Sequence, residues 1–196
     1  LPPSVVLRKA TFILNRDVDC HGRSVLVMKD GCKLMVQGKY SDAVEALTRE
    51  AARDKDETGV GAITFLPLAQ YLAGDKPRAR IGMSRLLEEY PREAAANYVF
   101  AGTLAWIDKK YAKAIELWEI GPSCRYALTH SKLECPLLFW YAAVTRPKLF
   151  PVHRALKMIE ANIHRVPLDV WPSAVGRFVL GWIDEDLKQA LGIDVE

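Results

Sequence analysis

Apolar residues recur along this chain at three- and four-residue intervals, while strict alternation of apolar and polar residues is nearly absent. From Ser41 onward, Ala43, Val44, Leu47 and Ala51 share one helical face, with Ser41 placed to cap the helix and Asp42 in its first turn. Tyr111, Ala114, Ile115 and Trp118 repeat that stripe, and Lys109, Lys110, Lys113 and Glu116 mark the solvated side. The pattern predicts an all-α chain whose apolar stripes pack between helices.

The stripes are introduced by one phrase written several times. It reads Gly38-Lys39-Tyr40-Ser41-Asp42-Ala43, then Gly74-Asp75-Lys76-Pro77-Arg78-Ala79, then Lys109-Lys110-Tyr111-Ala112-Lys113-Ala114. Ala43, Ala79 and Ala114 are 36 and 35 residues apart, and a weaker copy places Ala155 another 41 residues on. A period of about 34 residues is the length of a helical hairpin, and such units stack because none buries its apolar face alone. Stacked hairpins leave a curved surface suited to receiving another polypeptide.

Counting seven residues back from the first residue of each phrase reaches Gly31, Pro67 and Gly102, where two helices can approach closely. Counting nine forward reaches Leu47, Met83 and Trp118, with Ile159 in the fourth copy. This arrangement resembles the tetratricopeptide repeat, in which a small residue of the first helix interlocks with Ala and a bulky residue of the second. The resemblance spans roughly residues 24 to 168, as copies at about 24–57, 60–93, 95–128 and 136–168. Pro91 and Pro167 fall at the repeat-ending proline of the second and fourth copies. Pro67 departs from the pattern at its small-residue position, and Lys55 replaces the terminal proline of the first copy. The implied fold is a right-handed superhelical solenoid of antiparallel helix pairs, preceded by an N-terminal extension (1–23) and closed by a C-terminal pair of capping helices (169–196).

In that family the first helix of each pair lines a concave groove. Carrying its groove positions onto this chain implies Met28, Met35, Thr64, Leu68, Tyr71, Val99, Thr103, Trp106 and Trp140 as protein-contacting residues. Val25, Cys32, Gly61, Ala96, Leu137, Val144 and Pro147 complete the set. The groove lacks the Lys, Asn and Arg set with which some members clamp a terminal carboxylate. Its apolar, aromatic character suits an inserted helix or an extended hydrophobic segment, with aromatic anchors each contributing on the order of 2 kcal/mol. Residues 5–14, themselves apolar, are an internal occupant of this groove or a pairing surface for a second subunit, so a homodimer is among the expected assemblies. The same residues are also read as plain filling of a tightly wound superhelix.

The tail carries a second resemblance. Trp171-Pro172 followed by Phe178-Val179-Leu180-Gly181-Trp182-Ile183-Asp184-Glu185-Asp186-Leu187 is similar to the segment that follows the repeats in bacterial tetratricopeptide proteins, including envelope lipoprotein adaptors. Read physically, Gly181 ends one short helix, Asp184 caps the next and Gly192 stops it, while Phe178, Leu180, Trp182 and Leu187 cover the last repeat.

Composition narrows the function classes. At 196 residues, 50% hydrophobic and 26% charged, the chain is large enough for one continuous core. No apolar stretch reaches the roughly 20 residues that cross a bilayer, since Phe65–Ala73 is interrupted by Pro67 and Gln70. A formal net charge of +3 argues against nucleic acid as the partner. The local basic set of Arg146, Lys148, Arg154, Lys157 and Arg165, with His153 and His164, reads as a solvated helix face, with RNA contact near Arg154 as the remote alternative. The chain opens at Leu1 rather than Met, which predicts a processed or trimmed product.

Cys20 and Cys32 are 12 residues apart, and Cys124 and Cys135 are 11 apart. Each pair brackets the junction before a helix pair, so two disulfide clasps and an oxidising compartment form one reading; four separate buried thiols form the other. With the envelope resemblance, periplasm or cell envelope is the expected location and the cytoplasm the alternative. No compact Cys/His quartet, HExxH, phosphate-cradling loop or GxSxG is present, so no metal, cofactor or catalytic residue is expected. The resulting expectation is a noncatalytic adaptor or scaffold that binds a hydrophobic polypeptide segment. The alternative is a dedicated secretion chaperone or immunity-type inhibitor that sequesters one partner protein.

Overall fold

The computed structural model describes residues 30–53, 62–125, 131–167 and 171–182. These form nine α-helices and a short 3₁₀ turn, with no β-strand among the described residues, which are therefore all-α, consistent with the expected class. It divides into two compact units, Leu1–Glu93 and Ala94–Glu196.

The first unit contains α1 (Asp30–Val36), α2 (Tyr40–Arg53), α3 (Ala62–Leu72) and α4 (Lys76–Glu89). α1 packs on α2, α2 on α3, and α3 on α4. The second unit contains α5 (Ala95–Ile107), α6 (Tyr111–Ile120), the 3₁₀ turn Gly121–Ser123, α7 (Ser131–Thr145), α8 (Val152–Ile163) and α9 (Trp171–Val179). Here α5 packs on α6, α7 on both of these and on α8, and α9 against α7 and α8.

The repeated phrase is a helix stop followed at once by a helix start. Its first residue adopts a left-handed backbone in all three copies: φ is +76° at Gly38, +98° at Gly74 and +62° at Lys109. Around it the same pair of hydrogen bonds closes the preceding helix. Lys39 N–H donates to Leu34 O at 2.9 Å, Asp75 N–H to Gln70 O at 2.9 Å, and Lys110 N–H to Ala105 O at 2.8 Å. The residue before each also donates back, Gly38 to Met35, Gly74 to Tyr71 and Lys109 to Trp106. This double bond satisfies carbonyls that a helix end leaves orphaned. The next helix starts immediately, with Ala43, Ala79 and Ala114 donating to Lys39, Asp75 and Lys110. One start differs from expectation: Tyr40 is already helical and the Lys39 carbonyl accepts, so Ser41 lies inside α2 rather than capping it.

Packing across each turn follows the register read from the sequence. Ala43, Ala79, Ala114 and Ala155 are all fully buried, as are Leu47, Trp118 and Ile159. A Cβ added at Gly31 would collide with the Leu47 side chain, and one added at Gly102 with the Trp118 indole. The second hairpin lacks so close an approach. Pro67 of α3 lies across from Gly82 of α4, where an added Cβ would meet Pro67 Cγ at 3.4 Å, an ordinary contact, while Met83 is buried as the register requires. In the first hairpin, Glu50 Oε1 also accepts from the Gly31 N–H at 3.3 Å, one of the donors that the first turn of α1 leaves open.

The fourth hairpin is built differently. α7 and α8 are joined by Arg146–Pro151, with no left-handed residue recorded there. Leu133, Leu137, Ile159, Ile163 and Val166 form its core, with Trp140, Val175, Val179 and Leu180 packed against it. α9 approaches through Gly176, whose missing Cβ leaves room for Ile163 and Ile159. Leu180 contributes to this closing contact as expected, but Phe178 and Trp182 are exposed, because Val175, Gly176 and Val179 form the inward face. Gly181 ends the helix, with Trp182 N–H donating to Arg177 O at 2.9 Å. Leu187, Asp184 and Gly192 lie outside the described residues.

The Cys124–Cys135 clasp is not formed. Cys32, Cys124 and Cys135 are buried thiols, and Cys20 lies outside the described residues. Cys124 Sγ turns toward the Ile120 carbonyl at 3.8 Å, and Cys135 Sγ fills the gap left by the absent side chain of Gly121. Both sulfurs are thus used as small packing groups. Among the described residues, no helix is long and apolar enough to cross a membrane.

Candidate functional site

The second unit concentrates aromatic and cationic side chains where three helices end. Trp106 is the penultimate residue of α5 and Tyr111 the first of α6, and the tight turn between them brings their rings edge to face at 4.8 Å. Trp118 lies 5.9 Å from Trp106 on the inner side, its Nε1 donating to the Val99 carbonyl at 3.4 Å. Tyr141 of α7 completes the group, edge-on to Trp106 at 6.3 Å.

Arg146, just past the end of α7, lies over this group. Its guanidinium carbon stands 4.0 Å from the Tyr111 ring centroid and 5.9 Å from that of Trp106. Nη2 donates to the Tyr111 hydroxyl at 2.7 Å. The charge is therefore met by π-faces and a phenol oxygen, the arrangement that attracts a cation through the ring quadrupole.

The same positions recur in the first unit. Tyr71, Trp106 and Tyr141 are successive at intervals of 35 residues, and so are Lys76, Tyr111 and Arg146. Lys76 Nζ lies 5.8 Å from the Tyr71 ring, so an aromatic at the end of one helix and a partner at the start of the next is a repeated device.

The residues expected to line a groove divide by burial. Met35, Thr64, Leu68, Val99 and Thr103 are buried; Thr103 Oγ1 donates to the Val99 carbonyl at 2.7 Å, turning its polar atom into its own helix. Tyr71, Trp106 and Trp140 are partly exposed. Trp140 rests on the core of the fourth hairpin. Met28 and the segment 5–14 lie outside the described residues. Tyr71 belongs to the first unit and Trp106 to the second.

Tyr141 escaped the sequence reading, and Arg146 entered it only as part of a solvated basic face, although the signal for both positions was present. Repeat positions in the fourth copy follow from Ala155, 41 residues after Ala114, and lead to Val144 and Pro147. The first helix of that hairpin keeps the 35-residue interval; only the second is displaced, by the longer α7–α8 connection. Continuing the interval from Tyr71 through Trp106 reaches Tyr141 directly.

The basic set near Arg154 is distributed over an exposed face. Lys148, Arg154, Lys157 and Arg165 are exposed, as are His153 and His164. Arg154 stands 2.9 Å from Glu119 Oε1, an ion pair of poor hydrogen-bond angle. Of the titratable groups, Cys135 is held well above the ordinary thiol range, first by burial and then by Glu134 and Cys124 beside it. That makes it a protonated thiol and a poor nucleophile. Among the described residues no three His, Cys, Asp or Glu side chains converge as metal ligands would.

Comparison of the chain with protein-family models, with curated proteins and with solved structures yields no match.

Proposed function

We propose that this chain is a noncatalytic scaffold of tetratricopeptide-like hairpins whose exposed aromatic positions hold a hydrophobic segment of another polypeptide. The supporting architecture is the thrice-repeated stop-and-start turn and the small-against-bulky interlock across it. Within each unit, successive hairpins also touch through their first helices, α1 with α3 and α5 with α7, as stacked repeats do.

The observation that carries the reading is the partly exposed cluster of Trp106, Tyr111 and Tyr141. Large aromatics left accessible beside a packed core are the residue types that dominate binding energy at protein interfaces. The buried members of the expected groove hold the hairpins together, which leaves Trp106 and Tyr141 as the contact positions of the second unit and Tyr71, taken by itself, as the corresponding position of the first.

The test is capture of partners by the wild type and by Tyr71→Ala and Trp106→Ala, singly and together, with helicity monitored by circular dichroism. Specific loss of a partner from folded variants supports the reading, and an unchanged partner list removes it. A tight one-to-one complex with a single protein would instead favour a sequestering chaperone or inhibitor using the same surface.

A further inference from the structure

We propose that Trp106 and Tyr111, with Tyr141 set edge-on behind Trp106, form a box for a cationic side chain of the bound partner, an arginine or a methylated lysine, and that Arg146 is its resident occupant. The proposal deepens the scaffold reading and rests on it for the source of the cation.

The box is defined by what already fills it. A guanidinium carbon 4.0 Å from the Tyr111 ring centroid and 5.9 Å from that of Trp106 gives the site the dimensions of a cation held against two aromatic faces. The polar end is set by one hydrogen bond of 2.7 Å to the Tyr111 hydroxyl. Among the described residues Arg146 makes no salt bridge to a carboxylate, although ion pairs occur elsewhere in the second unit, at Arg154–Glu119 and Lys113–Glu116. A carboxylate in the box would anchor Arg146 against exchange; rings and a neutral hydroxyl leave it replaceable by any cation of similar shape.

The position of Arg146 also favours exchange. It is exposed and heads the connection Arg146–Pro151, so its side chain can leave without unpacking a helix. Val144 and Leu149, on either side of it in sequence, are 49% and 57% exposed. A partner segment that brings a cation flanked by apolar residues would find both kinds of contact here. Burial of those two side chains would offset the release of Arg146 to water.

Small cations test the box without knowledge of the partner. Choline is titrated into the full chain and followed by tryptophan fluorescence, with 3,3-dimethylbutanol as its neutral isostere. Arg146→Met, which keeps an apolar stem while removing the charge, should bind the cation about tenfold more tightly than the wild type. It should ignore the alcohol, and adding Trp106→Ala should abolish the response. Equal binding by wild type and variant, or an equal response to the alcohol, overturns the proposal. If Arg146→Met does not fold, the Arg146 side-chain NMR signal in the wild type carries the test: a shift toward the solvent-exposed position on adding cation supports exchange, and no shift overturns it. Cations bound without any polypeptide captured would remove the scaffold reading alone; a captured polypeptide with no response to cations would remove the box alone.

Discussion

The indole of Trp118 occupies the space that a side chain on Gly102 would need. This contact joins α5 to α6, and the Trp118 indole also donates to the Val99 carbonyl one turn earlier on α5. Gly102→Ala should therefore destabilise the second unit, overpacking costing about 1–3 kcal/mol against roughly 1 kcal/mol regained in helix propensity. Trp118→Ala should cost about 3–5 kcal/mol. In the Trp118→Ala background the sign of Gly102→Ala should reverse to stabilising, because the collision is gone and the propensity gain remains. Urea unfolding of the four proteins of this cycle decides it.

Lys109 is the non-glycine member of the three hairpin turns, holding φ at +62° where its counterparts are Gly38 and Gly74. A left-handed backbone costs an ordinary residue about 1 kcal/mol more than glycine. Lys109 is exposed. Lys109→Gly should thus raise stability by about 1 kcal/mol, and Gly74→Ala should lower it by a similar amount. A thermal midpoint for Lys109→Gly below that of the wild type would refute this account of the turn.

The raised proton affinity of Cys135 gives stability a defined pH dependence. A folded thiol that binds its proton more tightly than the unfolded chain contributes fully below the unfolded value, about 8.5. The contribution is lost as pH rises through the folded value, because unfolding then releases a proton that burial had retained. The wild type should lose stability between pH 8 and 10 more steeply than Cys135→Ala. Urea midpoints for both proteins across that range test it, and parallel curves would count against burial as the cause. Thiol reagents should reach Cys135 only after unfolding.

Asn97 is fully buried in α5, and neither its side-chain oxygen nor its nitrogen has a hydrogen-bond partner. An unsatisfied buried amide costs about 1–3 kcal/mol relative to an apolar group of the same shape. Leucine branches at the same carbon. Asn97→Leu should therefore be stabilising by about 1 kcal/mol in urea unfolding, and a loss of stability would mean that the amide is satisfied in solution.

Much of the fold was legible because hairpin packing imposes a fixed offset. Sixteen residues separate Gly31 from Leu47 and Gly102 from Trp118, and both pairs meet as the offset requires. At Pro67 the small residue is absent from its place, yet Met83, sixteen residues on, is buried all the same, so the offset persists there without the close approach. The functional surface was less legible. Helical period alone does not say whether a stripe is covered by a neighbouring hairpin, which is why Thr64, Val99 and Thr103 belong to the packed interior while Trp106 retains an accessible face. Cysteine spacing likewise carries no information on where two sulfurs point. The Gly121 gap that takes Cys135 Sγ is a feature of tertiary contact.

The connection Arg146–Pro151 displaces α8 by several residues while α7 keeps its place in the series, so length was accommodated at this point without altering the helices on either side. Chain-closure entropy rises only logarithmically, by about 0.6 kcal/mol for each doubling of a flexible loop. Lys148 and Leu149, both exposed, therefore mark a permissive splice point, where an epitope or a reporter peptide can be inserted with the helix on each side left to fold as before.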